Sequence, residues 1–365
     1  MFDPRNPFAS GIRGEPEVVS VLVGGQRYTA FTRTQVRAAF DEAARSFRLE
    51  VAAELGASAT NAVFATGTPV QIFIGGDLVL DGFIEQKQPN FDADSASIAV
   101  SGRSKSADLI DSSAMHDTGS FEDETLDEIG NAISDGLSAK FLTDEQLEQI
   151  PRYQLTPGKS VFRTVEELAR QQGLTITGMA DGNAKLAKAG KERHAGGLFE
   201  GKNIKAGSSD HNESNRHSRY IVRGQRPLDH GVDALEIEAI ARDAQVGRNR
   251  PVVIIEREDT SKERARTRAK NRKDRAAGNG LKARITVPGF RDDTGTLWTP
   301  GHLVWVESPF LDIAQDMLVE SVDYGQDSGG SLTALALVDP RAYGGKGGKG
   351  NKSGDEWSMD DSDAE

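Results

Sequence analysis

The sequence predicts a mostly β protein of the α+β class, in which two similar small antiparallel β-barrel domains enclose an inserted α/β domain. Three observations point there. The stretch "TPVQIFIGGDLVLDGFIEQ" at 68–86 alternates apolar and polar residues on either side of Gly-Gly-Asp, the pattern of two strands and a tight turn. The stretch "TPGHLVWVESPFLDIAQDMLVESVDYGQ" at 299–326 opens with the same Thr-Pro and again runs strand, loop, strand. Between the two, the apolar spacing widens to the helical period.

Taken in order, residues 1–16 form an N-terminal arm, and 17–106 read as the first barrel. "EVVSVLVGGQRYTAF" (17–31) places a Gly-Gly turn between two runs. Residues 35–55 are ambiguous: Phe47, Leu49 and Val51 alternate as in a strand, while the neighbouring alanines also suit a helix. In the hairpin that follows, Gly75, Gly76 and Asp77 tolerate the positive φ that tight turns require. "SIAVSGR" adds a strand at 97–100 and a polar exit.

Residues 107–200 read as the α/β insert. "SFEDETLDEIGNAISDGL" (120–137) puts Leu126, Ile129, Ile133 and Leu137 on one helical face, with Ser120 as cap and Glu122, Asp123 and Glu124 in a first turn that favours acids. "SVFRTVEELARQQG" (160–173) does the same with Val161, Phe162, Val165, Leu168 and Ala169, and stops at Gly173. "LTITGMADGNAKLAKAG" is a hairpin about Asp181-Gly182-Asn183.

Residues 201–343 read as the second barrel. The polar passage "GSSDHNESNRHSR" is expected as loop; "RYIVRGQ" and "ALEIEAIARD" are strands; a basic helix occupies 262–277; and "LKARITVPGF", "LWTPGHLVWV", "MLVESVDY" and "SLTALALVD" complete the sheet. Residues 344–365 are glycine-rich, then acidic, a composition expected to be disordered.

Laid over each other, the two β regions match element by element. Pro69 meets Pro300, "VQIFI" meets "LVWV", "LVLDGFIE" meets "MLVESVD", "SIAVSGR" meets "LTALALVDP" and, upstream, "FRLEVAAEL" meets "ALEIEAIARD". Two ordinary antiparallel sheets would share some of this pattern; one barrel duplicated would share its order. Three such chains about an axis would present six roughly equivalent barrels.

The bulk composition narrows the chemistry. With no cysteine, disulfides, thiol nucleophiles and thiolate metal sites are excluded. A net charge of −12 argues against a surface devoted to nucleic acid. No run approaches the ~20 apolar residues of a membrane helix, and the first residues show no signal region. His116, His194, His211, His217, His230 and His302 form no HExxH and no close metal pair; Asp210, His211 and His217 fall in the polar passage and are read as solvated. No Gly-x-Ser-x-Gly elbow marks a serine hydrolase, and "GGKGGKG" neither follows a strand nor opens a helix, so it is no phosphate loop. No catalytic residue, metal ligand or cofactor site is therefore assigned.

Two features are left as candidates for partner binding. The run 262–275 holds eight basic residues against Glu263 and Asp274. Drawn as a helix it aligns Ala265, Ala269 and Ala276 on a narrow packing face while Arg264, Arg268 and Arg272 fan outward. The readings are a solvated face, a protein interface, or a nucleic-acid contact, the last lacking aromatics for base stacking. Around the second hairpin, Trp305 alternates with Leu303 and is expected in the core, whereas Trp298 and Phe310 sit at the ends and in the loop, where aromatic anchors contact other chains.

Four stretches in order, "GRSKSADLIDSSA", "VFRTVEELARQQGLTITGMADGNAKLAKAG", "RARTRAKNRKDRAAGNGLKARITVPGFRDDTGTLWTPGHLVWV" and "MLVESVDYGQDSGGSLTALALVDPRAY", resemble the baseplate hub proteins of Mu-like contractile phage tails over about residues 17–343. That resemblance implies a ring-shaped homotrimer with pseudo-sixfold symmetry, set between the hexameric tail tube and the trimeric piercing spike, among other baseplate proteins. It implies a channel through which DNA passes without sequence-specific binding, and a place in the virion tail after assembly in the host cytoplasm. A structural role without catalysis is the expected function. The hub part of a secretion-system or bacteriocin spike is the alternative within the architecture, and a tail-associated peptidoglycan hydrolase the alternative from another class.

Overall fold

The computed structural model describes residues 17–53, 63–93, 95–224, 237–256 and 261–344; the predicted N-terminal arm and the segment after Gly344 lie outside the described residues. The first region holds β1 (Val19–Val23), β2 (Gln26–Tyr28), β3 (Arg33–Ala39), β4 (Ser46–Ala53), β5 (Pro69–Ile74), β6 (Asp77–Phe91) and β7 (Ala96–Ser104). Their spatial order is β2-β1-β5-β6-β7-β4-β3. The ambiguous stretch at 35–55 is strand: Val36, Ala38, Phe47 and Leu49 are buried at alternate positions, so one face of β3 and β4 supplies core and the other meets solvent.

The middle region contains α1 (Ala107–Asp111), β8 (Ser120–Glu124), α2 (Leu126–Ile133), β9 (Phe141–Thr143), β10 (Ile150–Gln154), α3 (Val161–Gln171), β11 (Thr175–Gly178) and β12 (Ala184–Ala187). It packs around its own core of Leu109, Phe121, Ile129, Phe141, Val165 and Leu186. One expectation fails here. Ser120 caps no helix; it begins a strand that pairs with β10, and Glu122, Asp123 and Glu124 lie on that strand. The helix starts later, at Thr125, whose hydroxyl and backbone exchange hydrogen bonds with Glu128 in a capping box, with Asp127 and Glu128 as the first-turn acids. The Thr-x-x-Glu signal outweighs the earlier serine. At the other end of the region, α3 stops where Gly173 takes φ +69.

The last region runs β13 (Leu198–Phe199), β14 (Ala206–His211), β15 (Arg219–Gly224), β16 (Ile237–Arg242), β17 (Pro251–Ile255), α4 (Lys262–Gly278), β18 (Leu281–Pro288), β19 (Leu303–Ser308), β20 (Ile313–Asp327), β21 (Gly330–Val338) and a 3-10 turn (Pro340–Tyr343). β16-β15-β17 form a separate small sheet, against which α4 sets Ala265 and Ala269. β14-β18-β21-β20-β19 form the larger sheet.

The duplication is present in the topology. Spatial order β3-β4-β7-β6-β5 repeats as β14-β18-β21-β20-β19, with the strands also in the same chain order. Even the irregularities coincide. The β6–β7 ladder slips at Glu85 and the β20–β21 ladder slips at Glu320, each a one-residue bulge. Gly67 donates to Ile84 O (2.7 Å) and Ile84 to Thr68 O (3.0 Å); Gly301 donates to Val319 O (2.8 Å) and Val319 to His302 O (2.9 Å). Gly67 and Gly301 both require glycine, with φ +82 and +86.

This equivalence corrects two sequence matches. Gly67 pairs with Gly301, so Pro69 corresponds to Leu303; Pro300 precedes its glycine whereas Pro69 follows, and the shared Thr-Pro is coincidental. "FRLEVAAEL" corresponds to β18, because β4 lies between β3 and β7 as β18 lies between β14 and β21. "ALEIEAIARD" belongs to the small sheet inserted after β14.

The two repeats are not separate bodies. β3 of the first pairs along β20 of the second, from Ala39 opposite Ser321 to Arg33 opposite Asp327, and Arg37 bonds Asp323 at 3.0 Å. One core consequently draws on both, from Ile72, Ile84 and Phe47 to Ile285, Met317 and Leu335. Among the described residues the pairing is one open path that closes neither repeat into a barrel. No described helix is long and apolar enough to cross a membrane.

Candidate interaction surface

The joint between repeats has a vacant counterpart. β20 uses one edge twice, for β19 over Ile313–Leu318 and then for β3 over Ser321–Asp327. β6, its equivalent, gives the same edge to β5 only as far as Phe83; beyond the bulge at Glu85 no described strand covers it. β14, the equivalent of β3, pairs with β18 on one side and with no described strand on the other. Among the described residues each molecule thus carries one open receiving edge and one open donating strand. Unpaired edges of this kind present rows of N–H and C=O groups suited to strand addition.

Backbone alternation fixes what the receiving edge offers. Ile84 and Val319 both turn their amides toward the hairpin partner. Past the bulge, Lys87, Pro89 and Phe91 face the open edge, as Val322, Tyr324 and Gln326 face β3. Pro89 has no N–H, so one rung is missing, a common brake on indiscriminate pairing. Phe91 is 82 % exposed, and most of β6 after the bulge and of β14 is also open to solvent.

Phe310 lies beside the donating strand. The loop 309–312 is tied to β14, where the Ser209 hydroxyl and His211 Nε2 donate to Leu311 O at 3.0 and 2.9 Å. Glu200 accepts from the Phe310 amide (3.0 Å) and the Ser308 hydroxyl (2.6 Å), bonds that hold its carboxyl below the usual carboxylate range. The ring is left 87 % exposed. Trp298 behaves otherwise. It is 3 % exposed, stacked near His194 at 4.7 Å between ring centroids, with Tyr324 donating to its carbonyl, so the ring is core and offers nothing to a second chain. Trp305 is the half-buried one, its Nε1 directed at Glu307. The expectation of Trp298 as an exposed anchor fails because its ring is buried against His194, and Trp305 falls short of the core because Val304 and Val306 take the inward face of β19.

Arg264, Arg268 and Arg272 do share the outward side of α4, above the buried Ala265 and Ala269. Arg268 pairs with Glu256 at 2.6 Å. Among the described residues no carboxylate lies within ion-pair distance of Arg264, Arg266, Lys270, Arg272 or Arg275. Asp210, His211 and His217 do not converge: His211 serves Leu311 and His217 lies edge-on to Tyr220. No group of three described His, Asp or Glu side chains is placed to hold a metal.

Two polar anchors that end on buried carboxylates escaped the sequence reading. His194 (2 % exposed) meets Asp292 Oδ2 at 3.0 Å, and its Nε2 accepts from Thr299 N–H at 3.0 Å. Arg193 bonds Asp316 at 2.6 Å. Together they latch the exit of the middle region onto the second repeat.

Three family models match in order along the chain: "Mu phage baseplate assembly protein GpP-like, N-terminal" at 18–104, "Baseplate hub protein gp44-like, second domain" at 106–188, and "Mu phage baseplate assembly protein GpP, fourth domain" at 260–345. The chain belongs to the Mu-like baseplate hub family. The baseplate hub protein gp44 of Escherichia phage Mu is 26 % identical to this hub over 336 residues, 88 % of each chain. A 43 kDa tail protein of prophage MuSo2 from Shewanella oneidensis is 27 % identical with a TM-score of 0.79, over 90 % of the hub and 99 % of that chain. A tail protein from Neisseria meningitidis MC58 shares the fold at TM-score 0.73 and 21 % identity, over 90 % and 99 %. The hub is thus a structural component of a phage tail baseplate.

Proposed function

We propose that three copies of the hub close into a pseudo-sixfold ring around a channel, joining the hexameric tail tube to the trimeric spike and letting DNA pass without sequence-specific contact. The observation that carries this reading is the pair of equivalent vacant edges. If β14 of one copy adds to β6 of the next as β3 adds to β20 within a chain, each joint advances one repeat. The contact is head-to-tail, the type that builds rings when its rotation closes. The division at 17–106, 107–200 and 201–343 then gives two ring lobes and one outer domain per chain, with β15–β17 and α4 inserted in the second lobe. The ring lies in the tail baseplate of the virion, assembled in the host cytoplasm.

Repeat equivalence sets the register. Asp210 falls opposite Gln88, Ser209 opposite Pro89, Ser208 opposite Asn90 and Gly207 opposite Phe91. It also supplies discrimination. Inside the chain Arg37 on the donating strand meets Asp323, whereas β14 placed on β20 would set Asp210 against Asp323, a like-charge pair that disfavours the wrong joint. Phe310, beside β14, then faces the neighbouring copy. Arg264, Arg268 and Arg272 lie outside the joint and belong to a separate surface.

The chain has no cysteine, so paired substitutions read the register directly. Ser208 and Asn90 would form a non-hydrogen-bonded pair, with Cα atoms about 4.5 Å apart, inside the range a disulfide spans. Ser208→Cys with Asn90→Cys is expected to oxidise to cross-linked trimers, and light scattering of the unmodified hub to give about three times 39.3 kDa. Gln35→Cys with Gly325→Cys is the matching control within one chain. Formation of the control bridge without any bridge between chains would refute the proposed joint.

A further inference from the structure

We propose that the basic body inserted between β14 and β18 of one copy docks on the acidic middle region of the next copy, a second interface beside the strand joint. This rests on the ring proposed above. The register of the long sheet sets His211, Leu281, Ala39, Ser46 and Ser104 at one end, from β14 opposite β18 round to β4 opposite β7. Both added bodies leave the sheet at that end. The small sheet with α4 occupies 212–280, between β14 and β18, and the middle region follows directly on β7.

Spacing brings the two bodies together. In the proposed joint, β14 of one copy is followed by β6 and then β7 of the next. The insertion and the neighbouring middle region are therefore rooted two strand spacings apart, about 10 Å. A compact body of about 70–80 residues has a radius of gyration of about 11 Å and a width of about 25 Å or more. Six such bodies, insertion and middle region in alternation, stand on lobes that each offer four strands, β3-β4-β7-β6 or β14-β18-β21-β20. Four strands give about 19 Å of arc, less than one body's width, so neighbours touch.

Their charges are opposite. Counted over every residue of the sequence, 212–280 hold 16 Lys and Arg against 11 Asp and Glu, whereas 107–188 hold 7 against 15. Net charges of +5 and −8 thus alternate around the ring, and every contact between copies at this end joins unlike signs. α4 carries the basic charge to the surface: Ala265 and Ala269 bury its underside, and Arg264, Lys270 and Arg272 are exposed. In the middle region Asp111, Asp117, Glu122 and Asp123 are likewise exposed.

The test uses the whole hub, locked as a ring by Ser208→Cys with Asn90→Cys. Carbodiimide, which couples lysine to carboxylate at contact distance, is applied at 50 mM salt, and peptides are mapped from the interchain bands of a reducing gel. The expected products join Lys262, Lys270 or Lys273, the only lysines of 212–280, to acids of 107–188, and occur in the interchain bands alone. Their yield is expected to fall about tenfold at 0.5 M salt. In the unlocked hub, Arg264→Glu with Arg272→Glu is expected to weaken trimerisation about tenfold at 50 mM salt, while the same variant still forms the locked ring and so is folded. A locked ring that yields no such products, or yields them only in the single-chain band, would overturn this inference and leave the ring standing. Trimerisation unchanged by the two arginine reversals would overturn it as well. Failure of the lock itself would refute the ring and this contact with it.

Discussion

Replacing Asp292 by asparagine probes the latch between the middle region and the second repeat. Asp292 Oδ1 accepts from Thr294 N–H (3.0 Å), the Thr294 hydroxyl (2.9 Å) and Thr296 N–H (3.0 Å), while Oδ2 accepts from His194 Nδ1 (3.0 Å) and Ala195 N–H (3.1 Å). Because His194 Nε2 accepts from Thr299 N–H, Nδ1 carries the ring proton and donates. An asparagine must turn its NH2 toward one of these donor sets and strand at least two buried donors. At about 1–3 kcal/mol for each, the expected loss is about 3–4 kcal/mol. Burial alone would raise the Asp292 pKa, but the bonds from His194, Thr296, Thr294 and Ala195 more than offset it and bring it from 3.8 to about 2. At 1.36 kcal/mol per pKa unit, that depression stabilises the fold by about 2 kcal/mol above pH 4, a contribution lost as pH falls from 4 toward 2. Trp298, against the His194 ring, gives a local fluorescence signal for urea unfolding at each pH. A variant within about 0.5 kcal/mol of the parent at pH 7, or a gap that does not narrow between pH 4 and 2, would refute the reasoning.

Three further outcomes are expected. Gly301→Ala should cost about 2 kcal/mol or more, since a Cβ there lies 2.6 Å from the Phe40 ring as well as at φ +86, while Gly67→Ala, at the same φ with open space, should cost about 1 kcal/mol in the same denaturation assay. Thr125→Ala removes the capping box and should destabilise the middle region by about 1 kcal/mol, read as faster hydrogen exchange in α2. Phe310→Ser should leave the unfolding midpoint unchanged yet weaken self-association in light scattering, because the side chain is exposed in one chain and would face the neighbouring copy in the proposed ring.

Alternation and helical period disclosed most of the elements. β5 and β18 show clear two-residue periodicity because one face is core and the other more open, β1, β19 and β20 read as apolar runs buried on both faces, and α3 shows both its stripe and its glycine stop. The duplication was legible for the same reason. Its register was not, since a shared Thr-Pro is visible in the letters and a shared bulge at Glu85 and Glu320 is not. β14 was missed because a strand with an open edge and few buried side chains carries no apolar signal. Trp298 was not legible as core because the His194 ring it packs on comes from about a hundred positions away in the chain. His194, Asp292, Arg193 and Asp316 could not be anticipated, because whether a polar residue is buried and satisfied depends on partners about a hundred positions away in the chain. The function came from the resemblance; the open edges that support it came from the fold.

A strand that feeds the following repeat also changes the order of reaction for assembly. In the proposed ring, six separate single-repeat molecules would need five collisions before the last joint closed within the assembly, and dilution would penalise each of them. Tethering two repeats, with β3 already seated on β20, leaves only two bimolecular steps before the last joint closes, so the threshold concentration for a complete circle would drop accordingly.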